Sequence, residues 1–161
     1  MRRYSWLLLL LLLAACSPST GDRCKRFFEP YPDLVGDRPR TARNAPLLDG
    51  MAQYRAGRYA EAIPDLQAYA ETDPERRDVA YLYLTSCYLA LDKPFDAELQ
   101  LDYLKQHHQR NYRDEVEWYY ALCWLCSDQA DRALAQARRI ADSGRHTYAV
   151  QAAALVKELS R

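Results

Sequence analysis

The chain has 161 residues, with 22 lysines and arginines against 22 aspartates and glutamates. That length allows one domain with a real core, and the neutral balance excludes both the basic excess of a nucleic-acid binder and the acidic tail of a disordered segment. Only 5 glycines and 8 prolines are present, most of the prolines before Pro74, and the remainder is rich in Ala, Leu, Tyr, Gln, Glu and Arg, a helical composition.

Arg2 and Arg3 precede an apolar run from Trp6 to Leu13. That run is too short to cross a bilayer core, which takes about 20 apolar residues, so residues 1–15 read as a cleavable signal peptide. Its end, Leu13-Ala14-Ala15-Cys16, resembles the lipobox of bacterial lipoproteins. The resemblance implies a diacylglycerol thioether on Cys16, cleavage just before it and acylation of the new N-terminus. Two or three acyl chains together anchor stably where one alone binds reversibly. Loss of Arg2 and Arg3 leaves 20 basic against 22 acidic residues, a net charge of about −2. Ser17 stands where such lipoproteins carry Asp for inner-membrane retention, and no acidic cluster follows Cys16. The resemblance therefore implies a lipid-anchored envelope protein on the outer membrane, facing the periplasm.

Residues 16–46 hold Pro18, Pro30, Pro32, Pro39 and Pro46, a density that blocks helix and favours extended or turn backbone. They read as a tether that lets the domain stand off the lipid surface. Phe27, Phe28 and Tyr31 are unusual in a pure linker. Either they dock on the folded domain or they form a partner-binding segment.

From residue 47 to 161 the pattern is helical. Leu47, Met51 and Tyr54, then Tyr59, Ile63, Leu66 and Tyr69, recur at spacings of three and four, with Gly57 between the two runs. Asp73-Pro74 ends the second helix. Further helices are predicted over Val79–Leu91, Phe95–His107, Asp114–Cys126, Gln129–Asp142 and Thr147–Leu159, with Pro94 and Gly144 marking breaks. The expectation is seven helices, short connections and no strand.

These helices come in pairs that repeat. Gly50, Leu84 and Leu122 occupy equivalent positions in the first helices, and Ala62, Ala97 and Ala133 in the second. A pair recurring near this period cannot bury its apolar face alone, so neighbours stack. The unit Gly50-x6-Gly57-x-Tyr59-x2-Ala62-x3-Leu66-x7-Pro74 resembles the tetratricopeptide repeat family. Two more degenerate units follow, the last around Trp118, Ala121, Leu122 and Leu125. The resemblance implies an all-α solenoid of about three helix pairs, closed by a C-terminal capping helix. An ordinary helical bundle would show the same apolar spacing, but it would not require Gly57-x-Tyr59 and Asp73-Pro74 in register with the alanines.

No catalytic triad, glycine-rich phosphate loop or metalloprotease motif is present, so no enzyme, cofactor or metal is expected. His107 and His108 are neighbours on one helix end and point apart, while His146 reads as a polar loop residue. Cys123-x-x-Cys126 has redox or zinc spacing, yet it lies away from a helix N-terminus and lacks a second ligand pair. The cysteines beyond Cys16 read as small apolar fillers. The alternatives are a disulfide involving Cys24 or Cys87, and a thiol redox pair at Cys123 and Cys126.

By the family resemblance, the inner face would carry Leu47, Met51, Tyr54 and Arg55, then Tyr81, Thr85 and Tyr88, then Tyr119, Cys123 and Cys126. Tyrosines on such a face offer apolar area and a hydroxyl at low entropic cost, although with 13 tyrosines several must pack in the core. The expected function is a protein–protein interaction scaffold or assembly factor acting on an unidentified envelope protein or peptide. The alternative is a permanent subunit of an outer-membrane assembly or secretion complex.

Overall fold

A computed structural model describes residues 20–72, 77–107 and 111–161. The lipobox and Cys16, Asp73-Pro74 and His108 lie outside the described residues. The described residues form eight helices and no strand: α1 (Thr20–Phe27), α2 (Ala45–Arg55), α3 (Tyr59–Thr72), α4 (Asp78–Ala90), α5 (Pro94–His107), α6 (Arg113–Cys126), α7 (Ala130–Asp142) and α8 (Ala149–Leu159). Seven of them match the expected series; α1 is additional. From α2 onward each helix packs on its successor, α4 also packs on α6, and α1 packs on α6. Among the described residues no helix is long and apolar enough to cross a membrane.

Local sequence chemistry explains the starts and stops. Pro46 occupies the first turn of α2 and Pro94 opens α5, where the missing N–H has no intrahelical partner to lose. The first helix of each pair ends in the same way. Gly57, Asp92 and Asp128 adopt left-handed φ values of 71°, 58° and 62°. The next residue, Arg58, Lys93 or Gln129, then donates its N–H back to Gln53, Tyr88 or Trp124 at 3.0, 2.9 and 2.8 Å. This is the Schellman closure, which satisfies carbonyls that a helix end leaves open.

Packing follows the alanine register. Ala62, Ala97 and Ala133 are fully buried, as are Leu66, Leu101 and Ile140. Gly50 lets α2 and α3 approach closely: a Cβ there would stand 2.9 Å from Leu66 Cγ and 3.2 Å from the Ala62 carbonyl oxygen. Helix α4 buries residues on nearly every side, from Asp78 to Leu89, and so forms the centre of the core. At the C-terminal end Trp118 stacks on Tyr148 with ring centroids 5.7 Å apart, fixing the start of α8 against α6.

In the proline-rich stretch the docking alternative holds over the free tether: Phe27 and Phe28 pack against the core and Tyr31 is part of it. Residues 20–46 do not stand free of the domain. Cys24, Tyr31 and Val35 are buried, and Cys24 is disulfide-bonded to Cys126 across 102 residues of sequence. Pro30 and Pro32 do exclude helix there, but an extended backbone whose polar groups find side-chain partners can pack as well as a helix.

Candidate functional site

Residues 28–36 form a strap, extended as far as Asp33 and turning from Leu34, that is laid across α2, α4 and α6. Three tyrosine hydroxyls hold its carbonyl groups. Tyr119 Oη donates to Glu29 O at 2.9 Å, Tyr54 Oη to Tyr31 O at 2.7 Å and Tyr83 Oη to Pro32 O at 3.2 Å. Two strap amides donate in return, Tyr31 N to Ser86 Oγ at 3.0 Å and Leu34 N to Tyr83 Oη at 2.9 Å. An extended segment outside any sheet needs such substitutes, because buried backbone groups left unpaired are costly.

The strap also brings its own apolar anchor. The Tyr31 ring is 4% exposed and lies 5.7 Å from the Tyr83 ring and 6.4 Å, edge to face, from that of Tyr119. Beyond it, Asp33 accepts from the amides of Val35 and Gly36 at 2.9 and 2.7 Å and pairs with Arg55 at 3.2 Å. Burial pushes the Tyr31, Tyr54 and Tyr119 hydroxyls well above their ordinary value, and Tyr83 up to about 12. The Tyr54, Tyr83 and Tyr119 hydroxyls are therefore neutral donors at any physiological pH.

Several residues expected on an open face are placed otherwise. Leu47, Met51, Thr85 and Cys123 are fully buried, because the helices turn those positions into the core. Tyr54 and Tyr119 are covered by the strap, and Arg55 is engaged with Asp33. Tyr81 stacks instead on Tyr103 of α5, with centroids 5.5 Å apart, and the Tyr88 hydroxyl accepts from Gln67 Nε2 of α3 at 3.2 Å. On α4 the strap meets Tyr83 and Ser86. Repeat arithmetic does not reach these two, since it projects a straight stripe and the strap crosses the three helices obliquely.

The cysteines are also rearranged. Cys126 is bonded to Cys24 and not to Cys123, so the CxxC spacing forms no thiol pair. Cys87 and Cys123 are free and buried; burial pushes the Cys87 thiol up to about 12 and raises that of Cys123 well above its ordinary value. Such thiols pack as small apolar groups and are poor nucleophiles. His146 lies in the loop between α7 and α8, as expected, with its side chain buried. Its Nδ1 accepts from Tyr148 N at 3.1 Å, and its Nε2 lies 3.5 Å from Glu117 and 3.8 Å from Asp114. Among the described residues no group of His, Cys, Asp and Glu is arranged to hold a metal ion.

What this arrangement does chemically is hold polypeptide backbone. Compared with known protein families, curated proteins and solved structures, the chain matches none.

Proposed function

We propose that the chain is a lipid-anchored, tetratricopeptide-repeat-like interaction scaffold of the bacterial cell envelope, on the outer membrane and facing the periplasm. In this reading α2–α3, α4–α5 and α6–α7 are three repeats of a solenoid and α8 is its cap. The recurring turns at Gly57, Asp92 and Asp128, and the buried alanines in step with them, support the repeat. The sequence Leu13-Ala14-Ala15-Cys16 supports the anchor, and the Cys24–Cys126 bond suits an oxidising, exported location. Confinement to a surface then raises the effective concentration of scaffold and partner.

One observation carries the interaction role. The tyrosine-bearing face of α2, α4 and α6 already grips an extended segment by its carbonyls, and such contacts suit a peptide of varied sequence. In this protein the segment is its own strap, so a partner peptide takes that seat by exchange.

A second reading is a permanent subunit of an envelope assembly. Phe95, Leu99 and Tyr103 are exposed on α5 at four-residue steps and form an apolar stripe on one face. The experiment is capture through a C-terminal tag from cross-linked envelopes. One stoichiometric partner, enriched when the strap's own anchor is removed in Tyr31→Ala and lost in Tyr54→Phe/Tyr119→Phe, supports exchange at the strap seat. Loss of that partner in Phe95→Glu/Leu99→Glu instead supports the permanent subunit. No specific partner with any of these chains overturns the scaffold reading. Cys16→Ser is the separate check of the anchor, and its persistence in the membrane fraction would overturn that part.

A further inference from the structure

The structure constrains how such a protein sits on its membrane. Resting on the lipid-anchor reading of Cys16, we infer that the exposed face of α1, with Lys25 and Arg26, lies against anionic phospholipid headgroups. Only residues 17–19 separate Cys16 from α1. Fully extended, that connection spans at most about 14 Å. A folded body of this size is roughly 35–40 Å across, so the connection is shorter than the body's radius. The protein does not stand off the bilayer on a long tether.

Helix α1 cannot lengthen that connection, because it is fixed at two points. Cys24 is bonded to Cys126 at the end of α6, and Arg26 pairs with Glu158 of α8 at 2.7 Å. Were α1 free, the chain from Cys16 to Glu29, where Tyr119 takes hold, could reach about 45 Å. The disulfide thus decides which end of the body meets the lipid: the α1, α6 and α8 end, with the α2–α3 pair further along the strap.

The chemistry of that end suits the partner. Helix α1 carries Arg23, Lys25 and Arg26 against Asp22. Arg26 and Arg161, 49% and 69% exposed at their side chains, both pair with Glu158, so the positive balance of this end rests on exposed Lys25 of α1 and Lys157 of α8, with Asp22 and Glu29 nearby. Basic side chains held this near an anionic leaflet are within reach of its surface potential.

The test is acylation of lysines by a membrane-impermeant amine reagent, read by mass spectrometry. The lipidated protein is placed on vesicles of phosphatidylcholine and phosphatidylglycerol, and the Cys16→Ser chain in solution is the reference. Lys25 is expected to react about fivefold more slowly on the vesicles, as lysine contact with anionic headgroups requires, while Lys105, exposed on α5, keeps its solution rate. Lys25 reacting at the solution rate on protein that co-floats with the vesicles overturns the inference. Equal protection on phosphatidylcholine alone overturns the assignment to anionic headgroups. Wild-type protein that does not co-float at all sinks the lipid-anchor reading itself, a distinct outcome.

Discussion

The Tyr119 hydroxyl donates to the Glu29 carbonyl oxygen at 2.9 Å, joining residues 90 apart in sequence. That bond, with those of Tyr54 and Tyr83, turns a proline-rich leader into part of the core. The face that a partner peptide is proposed to use is occupied, and any rival for it competes with a segment at high effective concentration.

Removing single hydroxyls tests how the strap is held. Tyr54→Phe leaves the buried Tyr31 carbonyl without its donor, and the expected cost is about 1–3 kcal/mol. Tyr119→Phe should cost about 1 kcal/mol, because the Glu29 carbonyl is near enough to the surface to recruit water. Denaturant unfolding gives the stabilities, and hydrogen exchange at the Tyr31 and Leu34 amides reports strap opening. Two variants indistinguishable from wild type in both would show that the Tyr54 and Tyr119 hydroxyls do not hold the strap.

Cutting the Cys24–Cys126 bond acts mainly on the unfolded chain. For a closed loop of about 100 residues the chain-entropy limit is about 4–5 kcal/mol, and measured values run lower. Cys24→Ser/Cys126→Ser is expected to unfold at clearly lower denaturant yet keep its helical circular dichroism. Reductant should lower the wild-type midpoint and leave the variant unmoved. A variant equal to oxidised wild type would mean that α1 packing alone does the work.

The helices and their turns were open to sequence reading because their determinants are local. Gly57 must adopt positive φ, and Ala62, Ala97 and Ala133 must be small where helices cross. Asp92 and Asp128 share the Gly57 conformation but do not look like glycine, so the repeated turn was hidden by residues that merely tolerate it. The strap was hidden for another reason. Pro30 and Pro32 correctly excluded helix, but whether an extended segment floats or packs depends on hydroxyls at Tyr54, Tyr83 and Tyr119, far along the chain. The pairing of Cys24 with Cys126 is likewise spatial, and cysteine count alone leaves it open.

A left-handed turn and a close helix contact give opposed expectations for two small substitutions. Asp92→Gly relieves a left-handed conformation that costs a residue with Cβ energy, and it should stabilise by up to about 1 kcal/mol. Gly50→Ala places a methyl 2.9 Å from Leu66 Cγ and 3.2 Å from the Ala62 carbonyl, forcing α2 and α3 apart. Overpacking of this kind costs about 1–3 kcal/mol. Thermal unfolding of both variants beside wild type should bracket it, one midpoint above and one below. A Gly50→Ala midpoint at or above wild type would mean that the α2–α3 contact yields easily.

Alkaline pH should unfold this protein through its tyrosines. Burial, the leading cause in each case, pushes Tyr83 and Tyr148 up to about 12 from an ordinary 10.0, and raises Tyr31, Tyr54, Tyr119 and Tyr120 as well. A phenol whose folded value is raised keeps its proton in the native state and loses it more readily when unfolded. Its stabilising contribution is therefore complete below the unfolded value near 10 and falls as pH rises through the folded value. Denaturation midpoints should be flat across neutral pH and drop steeply between about 10 and 12. Tyrosinate absorbance of the buried set should appear with loss of helix and not before it. Tyrosinate of the buried set, beyond that of partly exposed residues such as Tyr103, forming in protein that is still helical would show that the strap opens alone, exposing Tyr31, Tyr54 and Tyr119 while the helices stay packed.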